Sequence, residues 1–297
     1  MNGRLYIVAT PIGNLGDMTP RAIEVLRGVD IIAAEDTKTS MVLLTKFEIK
    51  TKLVSNHKFN ETGSADYFIK ELLNGKNIAV ISDAGTPCVS DPGNVLVKKS
   101  LENNIEVIGI PGACAAITAV SVSGFEIKSF IFEGFFPREN GEIKKITNKL
   151  KNNPGVYIFY ESPKRIKKTL GIFCENLNEC DICLCNDLTK KFEKIYRGSP
   201  EKILEELKNN ISAEKGEYTI VVEIDISQTP VTVSDEVVAT LFQKGALAIE
   251  SIIVDVMIKQ KCTLKDAVKY IASGNAYDLN KNEVYAASLN LKKMFCD

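Results

Sequence analysis

Several features are scarce or absent in this chain of 297 residues. It has no tryptophan and a single histidine, His57, so any imidazole general base must be His57. No apolar run reaches the length of a membrane span, and the first residues show no charged segment followed by an apolar stretch. The formal net charge is −1, so bulk charge does not indicate a partner. We expect a cytoplasmic protein without membrane association.

Cysteine is present but scattered. Of the eight cysteines, only Cys180, Cys183 and Cys185 cluster, in the sequence CDICLC. A structural zinc site needs a fourth ligand. The alternation of these cysteines with Ile182 and Leu184 is typical of a strand. We therefore expect no metal site.

The most informative segment is Ile81–Gly93, ISDAGTPCVSDPG. The apolar run Ile78–Ile81 predicts a strand that delivers Asp83 to its carboxyl end, where open α/β sheets bind ligands. Gly85 permits backbone shapes and close approaches that a β-carbon would block. The segment therefore predicts a cleft for a polar small molecule. The alternative is an ordinary strand–helix loop in which Asp83 binds nothing.

Strand and helix patterns alternate through residues 1–123. Five such units predict an α/β domain with a mostly parallel five-stranded sheet. The predicted strands are Leu5–Ala9, Asp30–Ala34, Lys52–Ser55, Ile78–Ile81 and Glu106–Ile110.

The pattern restarts after Gly124, which predicts a second α/β domain over residues 124–228 with a mixed sheet. Residues 229–297 have helical periodicity and predict a small helical domain. The second domain's predicted strands are Phe130–Glu133, Val156–Tyr160, Cys180–Asn186, Phe192–Tyr196 and Tyr218–Asp225.

Eight loop motifs occur between residues 4 and 226, and their order along the chain is informative. They are VATPIGNLGDMTPRA, AAEDTK, SNHKFNE, SDAGTPCVSDPG, IPGACAAITA, FEGFFPR, FYESPKRI and NDLTKKFE. Together they resemble the ribosomal RNA small subunit methyltransferase I family, which belongs to the tetrapyrrole methylase superfamily. The chain differs from the usual family pattern ARELTK at Asn186 and Asp187.

This resemblance implies two α/β domains with S-adenosylmethionine bound between them. It also implies a homodimer that methylates the ribose 2′-hydroxyl of a decoding-region cytidine in 16S ribosomal RNA of the small subunit. Carried onto this chain, the resemblance implies that the cofactor contacts Pro11, Ile12, Asp83, Gly85, Thr86, Pro87, Cys114, Ala115, Tyr160, Asn186 and Gly216.

A 2′-hydroxyl is a poor nucleophile at neutral pH, so a group that accepts its proton would help. The candidates are Glu35, Asp36 and His57. Each has a plainer alternative. Asp36 would cap the helix that begins after it, Glu35 would pair with Arg21, and His57 would be an exposed side chain without a role.

Basic and aromatic side chains near the motifs are candidates for RNA contact. Phe135 and Tyr160 are candidates to stack on a base, as is Phe136, although Phe135 and Phe136 are equally suited to core filling. The tail lysines, such as Lys265 and Lys269, would either bind RNA backbone or cover a solvated helical cap. The basic candidates in the loops are Lys38, Lys58, Arg138, Lys164, Arg165, Lys190 and Lys191.

Two other classes of function remain to be weighed. A tetrapyrrole methyltransferase would share the fold and cofactor, but such enzymes resemble GAGPGD in the first loop, where this chain has ATPIGN. A non-enzymatic RNA-binding protein would account for the tail and the basic loops. It would leave the two α/β domains without a purpose.

Overall fold

The structure is a computed structural model that describes residues 2–56, 61–177, 180–224, 248–273 and 279–295. It divides into two compact units, Met1–Gln228 and Thr229–Asp297, which are described separately. His57 and Lys58 lie outside the described residues.

The first sheet is parallel throughout and has the strand order β3-β2-β4-β1-β5. This confirms the predicted parallel five-stranded sheet. Its elements are β1 (Leu5–Val8), α1 (Pro20–Gly28), β2 (Ile31–Ala34), α2 (Thr37–Lys46), β3 (Lys52–Ser55), α3 (Glu61–Leu73), β4 (Ile78–Ile81), α4 (Asn94–Glu102), β5 (Val107–Ile110) and α5 (Ala115–Ser123).

Strand β4 is buried on both faces of the first sheet. All four of its residues are buried, because helices cover both faces of a parallel sheet. Ile78 and Val80 pack in one apolar cluster, whereas Ala79 and Ile81 pack in another on the opposite face. The strand therefore ends with Ser82 and Asp83 fixed at the sheet edge.

The second sheet is mixed, as predicted, with the order β6-β7-β10-β8-β9. Strands β6 and β7 are parallel, and the other neighbours are antiparallel. Its elements are β6 (Phe130–Phe135), α6 (Asn140–Asn152), β7 (Gly155–Glu161), α7 (Ile166–Asn176), β8 (Cys180–Asn186), β9 (Lys194–Gly198), α8 (Pro200–Lys208) and β10 (Tyr218–Ile224).

The predicted strand Phe192–Tyr196 begins two residues too early. Phe192 lies in a turn closed by the Glu193 N–H, which donates to the Lys190 carbonyl over 3.1 Å. The Phe192 ring is 74% exposed. The β-propensity of a phenylalanine suggested a strand, but the turn keeps its ring in solvent and β9 starts at Lys194.

Helix α5 connects the two sheets. Its small residues Ala116 and Ala119 are buried in a cluster that includes Ile158 of β7 and Val221 of β10. The apolar sequence of this helix is thus explained on one face by contact within the chain. On another face, Ile117 is 52% exposed.

The clustered cysteines alternate in direction along β8. Cys183 and Cys185 face α5 with their Sγ atoms 3.8 Å apart, whereas Cys180 packs on the opposite face of the sheet. Among the described residues there is no group of three or more metal-ligating side chains arranged to hold an ion.

The described residues of the second unit form the helices Ile249–Gln260, Leu264–Ala272 and Lys281–Phe295. They share a core to which Ile253 and Ile271 contribute. Thr263 caps the second of them, because its Oγ1 accepts from the Asp266 N–H over 3.3 Å. None of the helices in the described ranges combines the length and apolarity needed to cross a bilayer.

Candidate active site

A cleft of about 480 Å³ lies where the carboxyl edge of the first sheet meets the second sheet. Its volume is in the range typical of small-molecule sites. The lining comes from Ile12, residues 84–86 and 89–91, Cys114, Ala115, Phe135, residues 160–163, Leu188 and residues 216–218.

The loops after β1, β4 and β5 form one floor of the cleft. Thr10 and Gly85 exchange two backbone hydrogen bonds of 2.8 and 3.1 Å. Thr86 Oγ1 donates to the Ala113 carbonyl over 3.1 Å. Gly85 has φ +81°, and a β-carbon there would lie 3.2 Å from a methyl of Ile12, so both conformation and space favour glycine. The three loops therefore hold one another in place.

The N-terminus of α5 opens onto the cleft. Within the described part of the chain, its N-cap Cys114 makes no side-chain capping bond. The backbone N–H groups of a helix start suit a carboxylate. Burial raises the pKa of Tyr160, which also lines the cleft, to about 12, so its phenol stays neutral at physiological pH.

Carboxylates lie close together at the ends of β2 and β4. Burial, and then repulsion from Asp91 and Asp83, raise the pKa of Glu35. Burial and the nearby Asp36 raise the pKa of Asp83, whose Oδ1 accepts from the Asp36 N–H over 3.2 Å. Burial also raises the pKa of Asp91, which lines the cleft. This edge suits a cationic ligand group.

A buried ion pair supports the opposite wall. The Glu161 side chain is fully buried and accepts from Thr169 Oγ1 over 2.6 Å and from the Ser162 N–H over 2.7 Å. Arg165 Nη2 lies 3.3 Å from Glu161 Oε2. Sequence analysis proposed Arg165 as an RNA contact, but its guanidinium is engaged inside the fold.

Lys190 is also engaged within the chain. Its ammonium lies 2.9 Å from Asp187 Oδ1 and 2.9 Å from Glu217 Oε2. Its aliphatic stem packs so closely over Gly13 that a β-carbon there would overlap it. The surrounding loop is strained, since the β-branched Thr189 has φ +68°. Lys190 thus joins the loop after β1 to the cleft wall.

Most of the residues implied as cofactor contacts come together at the cleft. Those that line it are Ile12, Gly85, Thr86, Cys114, Ala115, Tyr160 and Gly216. Pro11, Asp83, Pro87 and Asn186 are outside the lining set of the described residues. The amide of Asn186 donates to the carbonyls of Lys215 and Glu217 over 3.4 and 3.3 Å.

Some of the predicted proton acceptors and RNA contacts are engaged within the fold, whereas others are exposed. Asp36 caps α2, because its Oδ1 accepts from the Lys38 N–H over 2.7 Å. The ion pairs of the described residues do not include one between Glu35 and Arg21. Phe136 is buried, whereas Phe135 is 61% exposed at the cleft. The exposed basic candidates among the described residues are Lys38, Arg138, Lys164 and Lys191.

Several lining residues are not among the predicted site residues, including Asp91, Glu161, Leu188 and Glu217. A signal existed for two of them. Asp91 belongs to the same central motif as Asp83, and Glu161 directly follows Tyr160 in FYESPKRI. Leu188 and Glu217 reach the cleft through the packing of β8 beside β10, for which the local pattern carries no signal.

The protein has two α/β sheets that border a cleft at the ends of their strands, and this arrangement indicates its structural class. A family model for tetrapyrrole (corrin/porphyrin) methylases matches residues 4–204. Two solved structures share the fold. Cobalt precorrin-4 methyltransferase, a cobalamin biosynthetic enzyme, has a TM-score of 0.55 and 16% identity, covering 74% of this chain and 94% of that one. A diphthine synthase has a TM-score of 0.57 and 11% identity, covering 75% and 90%.

Curated relatives identify the family within this class. Ribosomal RNA small subunit methyltransferase I of Bacillus subtilis (strain 168) is 40% identical over 285 residues, or 96% of this chain and 94% of the relative. The protein of the same name from Buchnera aphidicola subsp. Acyrthosiphon pisum (strain APS) is 38% identical over 284 residues, or 95% of each chain. The chain therefore belongs to the ribosomal RNA small subunit methyltransferase I family of tetrapyrrole methylases, and it is an S-adenosylmethionine-dependent methyltransferase.

The cleft fits this methyl donor. Apolar side chains such as Ile12 and Leu188 suit an adenine ring, and the open N-terminus of α5 suits the donor's carboxylate. The acidic edge at Asp83 suits its positive groups. When bound, the cofactor supplies an electrophilic methyl group on a sulfonium.

Proposed function

We propose that this methyltransferase transfers a methyl group to the ribose 2′-hydroxyl of a decoding-region cytidine in 16S ribosomal RNA. It acts on the small ribosomal subunit, in the cytoplasm and as a homodimer. The observation that carries the substrate class is the match to relatives named for small-subunit ribosomal RNA over nearly their whole length.

The mouth of the cleft supports an RNA substrate. Phe135 lies edge-on to Tyr160, with ring centroids 5.7 Å apart, and much of its surface is exposed. An exposed ring beside a reactive site is suited to stack on a nucleotide base that has left its helix. The exposed Arg138 and Lys164 flank this wall in the sequence and would contact phosphates.

The site residues keep the roles given by the resemblance. The cofactor contacts Pro11, Ile12, Asp83, Gly85, Thr86, Pro87, Cys114, Ala115, Tyr160, Asn186 and Gly216. The division into residues 1–123, 124–228 and 229–297 is part of the same proposal, with RNA backbone bound by the tail.

The proposal is tested with small subunits from a strain that lacks this enzyme. Incubation with the protein and S-adenosylmethionine should add one methyl group to 16S ribosomal RNA, located by mass mapping of nuclease fragments. Because a 2′-O-methyl group blocks attack of that oxygen on the adjacent phosphate, the modified position should also resist alkaline cleavage. A methyl on a base, or transfer to a tetrapyrrole instead of RNA, would contradict the proposal.

A further inference from the structure

Three carboxylates line the cleft, and their surroundings differ. Glu161 is buried with a serine N–H, a threonine hydroxyl and the Arg165 guanidinium around it. Glu217 pairs with Lys190. Asp91, in contrast, does not take part in any ion pair recorded among the described residues. Among the described residues, it is therefore the carboxylate of the cleft lining that no cation pairs with.

The acids singled out from the sequence are placed less well for proton transfer. Asp36 is engaged as the cap of α2. Glu35 is not among the described residues that line the cleft, although the charge of Asp91 acts on it. Asp91 lines the cleft together with Tyr160, and its charge acts on the Tyr160 phenol.

Resting on the proposed function, we propose that Asp91 is the catalytic residue that accepts the proton of the substrate hydroxyl. The O–H bond breaks and its proton passes to the Asp91 carboxylate, while an oxygen lone pair forms the new O–C bond. The C–S bond of the sulfonium breaks and its electron pair stays on sulfur. Asp91 then releases the proton to solvent, so the net products are the methyl ether, the thioether and one proton.

The groups around Asp91 suit this role. Ser82 and Asp83 face it from the end of β4, Glu35 from the end of β2, and Tyr160 from β7. Burial and the charge of Asp83 raise the pKa of Asp91, whereas the Ser82 hydroxyl opposes the rise. A carboxylate whose pKa is raised is a stronger base.

The test compares wild-type protein with Asp91→Asn, which keeps the shape and removes the basic oxygen. Single-turnover methyl transfer to small subunits should slow by about 100-fold or more. The Kd for S-adenosylmethionine, measured by calorimetry, should stay within about threefold, because one position of a multipoint site changes without loss of volume. Asp66→Asn, which removes an exposed carboxylate of α3, serves as the matched control and should retain the wild-type rate.

A second readout does not depend on turnover. In protein with ¹³C-labelled aspartate carboxyls and without cofactor, the resonances of Asp83 and Asp91 should titrate above the usual aspartate range, and one of the two should vanish in Asp91→Asn. The acid limb of the wild-type rate profile should disappear in the same variant. Asp91→Glu, which keeps an acid but moves it, should recover part of the rate.

The outcomes separate the two proposals. Wild-type protein that leaves small-subunit RNA unmodified would overturn the proposed function and this role with it. If wild-type protein methylates the RNA, a rate in Asp91→Asn within threefold of wild type overturns the role of Asp91 alone. A large loss of cofactor affinity in both Asp91 variants would also overturn it, since Asp91 would then be a binding residue.

Discussion

Arg165 Nη2 lies 3.3 Å from Oε2 of Glu161, which stands four residues earlier in the same motif, FYESPKRI. Arg165 also donates to the carbonyls of Phe136 and Pro137 over 3.0 and 2.6 Å. Because Phe135 precedes these carbonyls, the pair fixes the aromatic wall of the cleft. The arginine of FYESPKRI therefore acts on the wall formed by FEGFFPR.

Replacing Arg165 should destabilise the fold. In Arg165→Met, the buried Glu161 loses its counter-charge and two carbonyls lose a donor, so the free energy of unfolding should fall by about 2–4 kcal/mol. Urea denaturation measures this change. Lys145→Met, which breaks an exposed pair with Glu142, is the matched control and should change stability by less than about 0.5 kcal/mol. Similar small effects in both variants would contradict the structural role.

Lys190 should contribute to the cleft wall rather than to RNA affinity. Its charge is already paired with Asp187 and Glu217, so Lys190→Met should leave the salt dependence of RNA binding unchanged while weakening cofactor binding. Loss of the pairs should lower stability by about 1 kcal/mol.

The comparison for Lys190 is Lys164→Met, which removes an exposed charge near the aromatic wall. Here the slope of log affinity against log salt should become shallower by about one unit. Binding of a labelled ribosomal RNA fragment at several salt concentrations measures both variants. The same shallower slope in Lys190→Met would show that Lys190 contacts RNA.

Glu35 should make stability fall as pH rises. Burial and neighbouring acids raise its folded-state pKa, so the folded chain holds this proton to higher pH than the unfolded chain. Stability is therefore lost from about pH 4.3, the ordinary glutamate value, up to the raised value. Glu35→Gln should match wild type below that window and exceed it at pH 7 by about 0.5 kcal/mol after allowance for solvent screening.

Urea midpoints at pH 4 and pH 7 test this difference. Glu102→Gln, at the exposed end of α4, is the control and should change little at either pH. A Glu35→Gln variant less stable than wild type at pH 7 would mean that the carboxylate makes a stabilising contact.

Local patterns predicted the sheets well because each strand is a short apolar run between turn residues. Strand β4, IAVI between Asn77 and Ser82, is an example. They also predicted the loops that meet at the cleft, since parallel strands end at one edge. The local patterns did not predict the role of a side chain whose partners are distant in the sequence. Lys190 looked like a free cation in the sequence, but Glu217 reaches it from 27 residues away.

The helical tail provides the last prediction. Its three helices share a core that includes Ile252, Val268 and Val284, and the residues up to 228 form a separate compact unit. A chain ending at residue 228 should therefore fold and bind S-adenosylmethionine with unchanged affinity. Exposed lysines such as Lys265 and Lys269 make the tail a candidate for RNA backbone.

If the tail binds RNA, truncation should raise the KM for small subunits while leaving the Kd for cofactor unchanged. The salt dependence of subunit binding should become shallower by about one unit for each phosphate contact removed. Lys265→Met combined with Lys269→Met in the full chain should give part of the same change without altering the fold. A folded truncation with an unchanged salt slope would show that the tail does not bind RNA backbone, and a joint loss of cofactor and subunit affinity would show that it supports the core.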